Sequence, residues 1–299
     1  MAMRISVIVP TRNRKDDLRK AIDSITTQLR RPDQLIVVDQ SMDRICEDDL
    51  SKIRKILQKG CELEYIHNIS ISGLVEAKHV GVLSAFGDIV CFLEDDIVLE
   101  PQYFSEIESY FRIAPNMIGC SGVVTNAPRK SITYLFFHSL FHQGIFFDPR
   151  PGVYANLSSL SERPVESPAI SGGLSAWRRE VFGSVPFDLA SGFHMLEDID
   201  FSIRVQQQYG PCLYINPRAR LAHNFAPGGR DSAGRREKRK IREFLTFYRK
   251  HRRDSRDTFW LAWLLLGIAL ATCASCIRFS TFKPLLGFFE GLVVGLRMK

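Results

Sequence analysis

Residues 89–96 read Ile-Val-Cys-Phe-Leu-Glu-Asp-Asp, five consecutive apolar side chains that stop at three carboxylates. An apolar run of this length, bounded by polar residues, reads as a buried strand. The acids then fall at the strand's carboxyl end, where open α/β sheets bind their ligands. Like charges this close repel unless a cation compensates them. The residue types suit a hard, oxygen-preferring divalent ion such as Mg2+ or Mn2+, bridging to phosphates. A solvated strand end, or a helix N-terminus that welcomes negative charge, is the competing reading of the same residues.

The preceding chain sets this strand in a regular rhythm. Residues 4–10 read as a first strand closed by Pro10, and 16–29 carry apolar side chains at 18, 22, 25 and 29, the spacing of a helix face stopped by Pro32. A second short strand follows at 34–39, a helix at 48–59, a strand at 64–67 and a helix at 75–86 punctuated by Gly87. Strand and helix alternating in this way predict a doubly wound, mostly parallel sheet with right-handed crossovers. Asp39 and the 94–96 acids would then share one sheet edge. From about Ser121 the rhythm loosens. Residues 133–147 are rich in aromatics, 148–168 read as a long loop, and 169–183 as a Gly-Gly turn followed by a short helix containing Trp177, Arg178 and Arg179. Helix spacing resumes at 197–209, with a late strand at 212–215.

Charge divides the 299 residues unevenly. Up to Gly228 there are 24 Lys+Arg against 27 Asp+Glu, a balance of −3; beyond it there are 16 against 6, or +10. The basic excess therefore belongs to the tail, which argues against a nucleic-acid partner for the whole protein. Within that tail, residues 258–277 carry no charge and are long enough for a membrane span, with Trp260 and Trp263 near the start and Arg249, Lys250, Arg252, Arg253 and Arg256 just before it. The expected organisation is a globular α/β domain at 1–228, a basic juxtamembrane helix or linker at 229–257, a transmembrane helix at 258–277, and a second hydrophobic segment at 278–299 that lies at the interface or pairs as a hairpin. The positive flank predicts that residues 1–257 face the cytoplasm. Residues 5–9 are too short for a secretory signal core. The seven cysteines show no disulfide-framework spacing and read as free thiols of a reducing compartment.

Five segments, in order, resemble family 2 glycosyltransferases of the GT-A fold: 7–14 (Val-Ile-Val-Pro-Thr-Arg-Asn-Arg), 36–43 (Ile-Val-Val-Asp-Gln-Ser-Met-Asp), 77–81 (Ala-Lys-His-Val-Gly) leading to 92–96, 171–179 (Ser-Gly-Gly-Leu-Ser-Ala-Trp-Arg-Arg), and Gly192 through 197–204 (Glu-Asp-Ile-Asp-Phe-Ser-Ile-Arg). The resemblance covers roughly residues 4–225. It implies a Rossmann-like, mostly parallel α/β domain with membrane-associated C-terminal helices, and inverting transfer of a sugar from a nucleotide donor, a UDP-sugar, to a lipid-linked or growing glycan acceptor. Asp39 matches the acid that recognises the base or ribose, with Pro10, Thr11, Arg12 and Asn13 as the adjacent wall. Glu94, Asp95 and Asp96 occupy the D-x-D position. Asp96 is the implied direct ligand of Mn2+ or Mg2+, and Glu94 stands where Asp is usual. Lys78 and His79 replace the common Arg-Asn, Lys78 supplying a cation for the diphosphate. Asp198 matches the general base, and Gly173, Trp177 and Glu197 fall on the acceptor side. A histidine like His223 often completes the metal site in similar enzymes, although a core or loop histidine fits its context equally.

The chemistry explains these residue types. Diphosphate departure leaves negative charge that a cation stabilises, and an acceptor hydroxyl attacks once a carboxylate takes its proton. Glu197 and Asp198 would also suit a helix start for purely structural reasons. His138 and His142 have metal-compatible helical spacing, but Phe136, Phe137, Leu140 and Phe141 around them favour packing. Three other functions remain open to the sequence. One is transfer to a polyprenyl phosphate; another is nucleotidyl transfer, although 10–14 lacks that chemistry's Gly-rich loop. The third is a non-catalytic scaffold that keeps the fold.

Overall fold

The computed structural model describes residues 2–57, 60–155, 162–225 and 232–298. In chain order these form β1 (Ile5–Thr11), α1 (Lys15–Thr26), β2 (Gln34–Asp39), α2 (Glu47–Leu57), β3 (Glu62–His67), α3 (Leu74–Ser84), β4 (Ile89–Leu93), β5 (Ile97–Leu99), α4 (Tyr103–Ile113) and β6 (Gly119–Val124). Next come α5 (Ile132–Phe141), α6 (Arg150–Ala155), β7 (Val165–Glu166), β8 (Leu174–Arg178), α7 (Val181–Ser184), α8 (Glu197–Tyr209), β9 (Leu213–His223), α9 (Ala233–His251), α10 (Ser255–Phe279) and α11 (Lys283–Arg297). The expected helix end at Lys59, the middle of the 148–168 loop and the domain boundary at Gly228 lie outside the described residues. Two compact units result. One comprises residues 1–128, 156–192 and 197–228; the other comprises 129–155, 193–196 and 229–299.

The first unit is built on a sheet in the order β3-β2-β1-β4-β8-β6-β9-β5, with β7 beside β9. β1 pairs in parallel with both β2 and β4, and every residue of β1, β2 and β4 is buried, because helices cover the sheet where these runs of Val, Ile and Leu emerge. Apolar clusters line both sheet faces. On one, Val7, Leu35 and Cys91 meet Leu18 and Ile22 of α1; on the other, Ile8, Ile36 and Phe92 meet Ala77 of α3 and Phe201 of α8. The doubly wound half thus follows the sequence rhythm closely.

Beyond it the structure departs from expectation. Residues 174–178 form a strand, not a helix, antiparallel to β4 with Leu93 opposite Leu174. Trp177, Ala176 and Leu174 are buried in that strand, and the sheet supplies hydrogen bonds that a short helix would have had to provide itself. The late strand extends to His223, far past Ile215, because β6, β7 and β5 each pair with a part of it. The expected loop at 148–168 contains α6 and β7.

The second unit is helical. Phe141 of α5 packs on Gly267, and the Trp263 indole N–H donates to the Leu140 carbonyl at 2.8 Å. His138 and His142 stack at 3.8 Å between ring centroids, next to Phe244, so they serve packing. Burial, reinforced by neighbouring His138, pushes the His142 imidazole down to about 4. Glu243 of α9 accepts the backbone N–H groups of His194, Met195 and Leu196 at 2.7–3.2 Å. The segment 278–299, expected at an interface or in a hairpin, supplies α11, which packs along α9. A Cβ on Gly287, Gly291 or Gly295 would collide with Gly234, Ile241 or Leu245 respectively. All seven cysteines are free thiols. Among the described residues, α10 alone is long and apolar enough to cross a membrane by length and composition.

Candidate active site

The carboxyl ends of β1, β2 and β4 gather the expected donor residues at one edge. Thr11 lies in register with Asp39. Asp39 is 1% exposed; one of its oxygens accepts the Ser41 N–H at 2.8 Å and the other the Tyr65 hydroxyl at 2.6 Å. Burial, with the bond to Asp39, pushes the Tyr65 phenol upward. Sequence patterning gave no reason to single out Tyr65, which sits on β3. Arg12 and Asn13 are exposed in the turn after β1, whereas Pro10 is buried within the strand. Asn13 adopts φ of 57°, a conformation that Asn tolerates better than most residues, and its N–H donates to Ser41 Oγ at 2.7 Å.

The three acids after β4 have different surroundings. Asp95 is buried and accepts the Thr11 hydroxyl at 2.8 Å and the Arg14 guanidinium at 3.0 Å. Burial lifts its carboxyl above the usual range, against the pull of Thr11 and Arg14. Arg14 also lies 3.7 Å from Asp96. It is a compensating cation that the sequence pattern did not identify. Glu94 and Asp96 turn instead toward the end of β9, where His223 Nε2 is 2.9 Å from an oxygen of each. Burial alone would lower the His223 pKa. Hydrogen bonds to Asp96 and Glu94 outweigh it and lift the imidazole to about 9. One ligand atom from each of Glu94, Asp96 and His223 lies within 4.8 Å of the others. Two carboxylate oxygens and an imidazole nitrogen converging in this way form a donor set that suits Mn2+ or Mg2+.

The dipeptide Gly172-Gly173 lies against both Glu94 and the expected base, Asp198. The Glu94 N–H donates to the Gly173 carbonyl at 3.0 Å, and a Cβ on Gly173 would stand 2.1 Å from Glu94 Oε1. On Gly172, a Cβ would stand 2.2 Å from Glu197 Oε1 and 3.1 Å from Asp198 Cβ. Asp198, in the first turn of α8, is half-buried, its carboxylate accepting the Ile199 N–H at 2.8 Å and the Gly172 N–H at 3.4 Å. The two glycines therefore allow Glu94 and the Glu197-Asp198 pair to approach the same short loop closely.

Three of the expected residues have internal partners. The Lys78 ammonium, expected at the diphosphate, is 2% exposed and pairs with Glu197 at 2.6 Å. Glu197, expected at the acceptor, is 9% exposed and committed to that pair. Burial holds its carboxyl above the usual range, opposed by Lys78 and reinforced by Asp198. Trp177, also expected at the acceptor, is a core residue, edge-on to Phe201 at 4.8 Å with its indole N–H on Ser175 Oγ. Arg178 donates to the Met117 and Phe111 carbonyls and Arg204 pairs with Asp200, so both serve the scaffold.

The profile of Glycosyl transferase family 2 matches residues 6–183. The chain belongs to this family. An uncharacterized glycosyltransferase of Rickettsia felis is 24% identical over 63% of this chain and 28% of its own length, and one of Haemophilus influenzae is 24% identical over 68% and 62%. This family 2 glycosyltransferase thus spans less than two thirds of the length of either relative. The glucosyl-dolichyl phosphate glucuronosyltransferase of Haloferax volcanii is 23% identical over 75% of this chain and 70% of its own. Among solved structures, the mannosyltransferase PcManGT of Pyrobaculum calidifontis, in complex with GDP-Man and Mn2+, superposes with a TM-score of 0.60 at 16% identity, over 99% of this chain and 88% of that one. S. aureus TarS 1-349 with UDP-GlcNAc gives 0.62 at 13% identity, over 99% and 81%. The fold is GT-A.

Proposed function

We propose that this glycosyltransferase moves a sugar, with inversion, from a UDP-sugar to a hydroxyl of a lipid-linked or growing glycan at the cytoplasmic face of a membrane. The observation that carries this assignment is the convergence of Glu94, Asp96 and His223, with Glu94 against Gly173 and Asp198 against the adjacent Gly172. Glu94, Asp96 and His223 would hold a divalent ion, which supplies charge stabilisation to the departing diphosphate. The bound nucleotide sugars and Mn2+ of the solved relatives support that role, and the dolichyl phosphate in the Haloferax name supports a lipid-linked acceptor.

The chain's own residues account for the remaining steps. Asp39, held by Ser41 and Tyr65, presents a fixed carboxylate for base or ribose hydroxyls, beside the exposed Arg12 and Asn13. Thr11 and Arg14 fix Asp95, which keeps the adjacent Asp96 oriented toward His223. Asp198 takes the acceptor proton as the hydroxyl oxygen attacks the anomeric carbon opposite the leaving diphosphate. The Lys78–Glu197 pair anchors the start of α8 and so the position of Asp198. C-terminal helices hold the enzyme near a membrane-bound acceptor and raise its effective concentration.

The decisive experiment pairs Asp198→Asn with a panel of radiolabelled nucleotide sugars and a membrane-lipid extract. Loss of a proton acceptor should lower kcat by about 10²–10⁴-fold, while Mn2+-dependent nucleotide binding by calorimetry stays within twofold. An unchanged rate would instead assign the acceptor to an already ionised phosphate. Chelator-insensitive transfer would refute the metal role.

A further inference from the structure

We infer that α10 does not cross the bilayer, and that α9, α10 and α11 form an anchor seated on one leaflet of an anionic-lipid membrane. The inference rests on the membrane attachment proposed above and specifies its form. Length and apolar composition alone would make α10 a span, but its packing inside the helical unit contradicts that. α9 runs antiparallel beside it. The Tyr248 hydroxyl is 2.7 Å from Thr258 Oγ1, and the Thr272 hydroxyl donates to Glu237 Oε1 at 2.9 Å. Between those contacts α10 advances from 258 to 272, about 21 Å of rise, some two thirds of the hydrocarbon thickness of a bilayer.

A spanning α10 would therefore carry residues 237–248 of α9 to the same depth. That stretch includes Lys238, Arg239, Lys240 and Arg242, against the carboxylates Glu237 and Glu243. Ionisable groups at such depth occur where they face a protein interior or a water-filled cavity. These four cations are only half-buried. α11 offers no return span either. Its 15 residues rise about 22 Å, short of the roughly 30 Å hydrocarbon layer, and its Glu290 pairs with Lys238 at 2.9 Å.

An interfacial setting satisfies the same features. On α10, Phe259, Leu266 and Leu270 recur on one exposed face, and on α11 Phe289, Val293 and Leu296 do so. Apolar stripes of this width suit burial in the headgroup and upper acyl region, while the eight Lys and Arg residues of α9 suit anionic headgroups.

The test uses the full chain in sealed inside-out membrane vesicles from expressing cells. Native Cys46, exposed on the catalytic unit, reports the side on which that unit lies. In a Cys273→Ser/Ser280→Cys variant, the new thiol marks the turn between α10 and α11. A membrane-impermeant maleimide should label positions 46 and 280 to the same extent before permeabilisation. Labelling at 280 only after detergent would overturn the one-leaflet anchor and leave membrane attachment standing. If the variant fails to fold, Thr281→Cys with Cys273→Ser gives the same readout. Purified native protein should also float with phosphatidylglycerol vesicles. Failure to float with these or with phosphatidylcholine vesicles would overturn the attachment itself, and this inference with it.

Discussion

Gly172 and Gly173 are neighbours, yet substituting them should have separable consequences. A methyl on Gly173 meets the Glu94 side chain, which is 40% exposed and free to swing into solvent. Gly173→Ala should therefore fold normally while losing about 10–100-fold in Mn2+ affinity, as expected when a ligand is misplaced; titration with Mn2+ and circular dichroism together check this. Lys78 calls for a different experiment because its pairing is internal. Lys78→Met leaves Glu197 as a buried, uncompensated carboxylate and should cost about 3–5 kcal/mol, most of it recovered in Lys78→Met/Glu197→Leu. Hydrogen exchange across β8 and α8 would read both changes. At this scale the sequence revealed identities better than partners. The acids at 39 and 94–96 stood out because carboxylates at strand ends are conspicuous, and Asp198 through the family resemblance. The neutralisation of Lys78 by a residue 119 positions away left no local trace. Arg14 and Tyr65 were equally hidden, since their importance comes only from the strand pairing that brings them to Asp95 and Asp39.

Elements were legible where each supplied its own periodic signal. The first four strands and three helices emerge from apolar runs and 3.6-residue spacing close to their observed limits. The strand Leu174–Arg178 did not, because its five residues follow a Gly-Gly turn and gain their ladder from β4 and β6, both distant in sequence. The three-residue β5 exists only because β9 runs past it. In α11 the visible signal was an interrupted apolar segment, whereas its structural role depends on glycines at 287, 291 and 295, which form the face toward α9. A Cβ at 287 would lie 2.1 Å from the Gly234 carbonyl oxygen, a backbone atom that cannot rotate aside. Gly287→Val should therefore release α11 from α9 and make the segment after Thr281 at least tenfold more susceptible to limited proteolysis, with little change in nucleotide binding by the first unit.

Across the whole molecule, charge is partitioned more sharply than hydropathy. The residues up to Gly228 carry a balance of −3 and those after it +10, so attraction to an anionic surface belongs almost entirely to the tail. Such attraction contributes about 1 kcal/mol for each Lys or Arg near the headgroups and decays within a Debye length. That length shrinks from about 10 Å at 0.1 M salt to about 3 Å at 1 M. Raising salt across this range should therefore weaken flotation with phosphatidylglycerol vesicles by about 10–100-fold, the loss of two or three effective cation contacts. Transfer to a soluble acceptor analogue should change less than twofold, because the proposed roles of Asp39, Asp96 and Asp198 are exerted at contact distances that salt screens poorly. Flotation that survives 1 M salt undiminished would mean that the apolar stripes of α10 and α11 hold the protein without help from α9, and the basic helix would then need another partner.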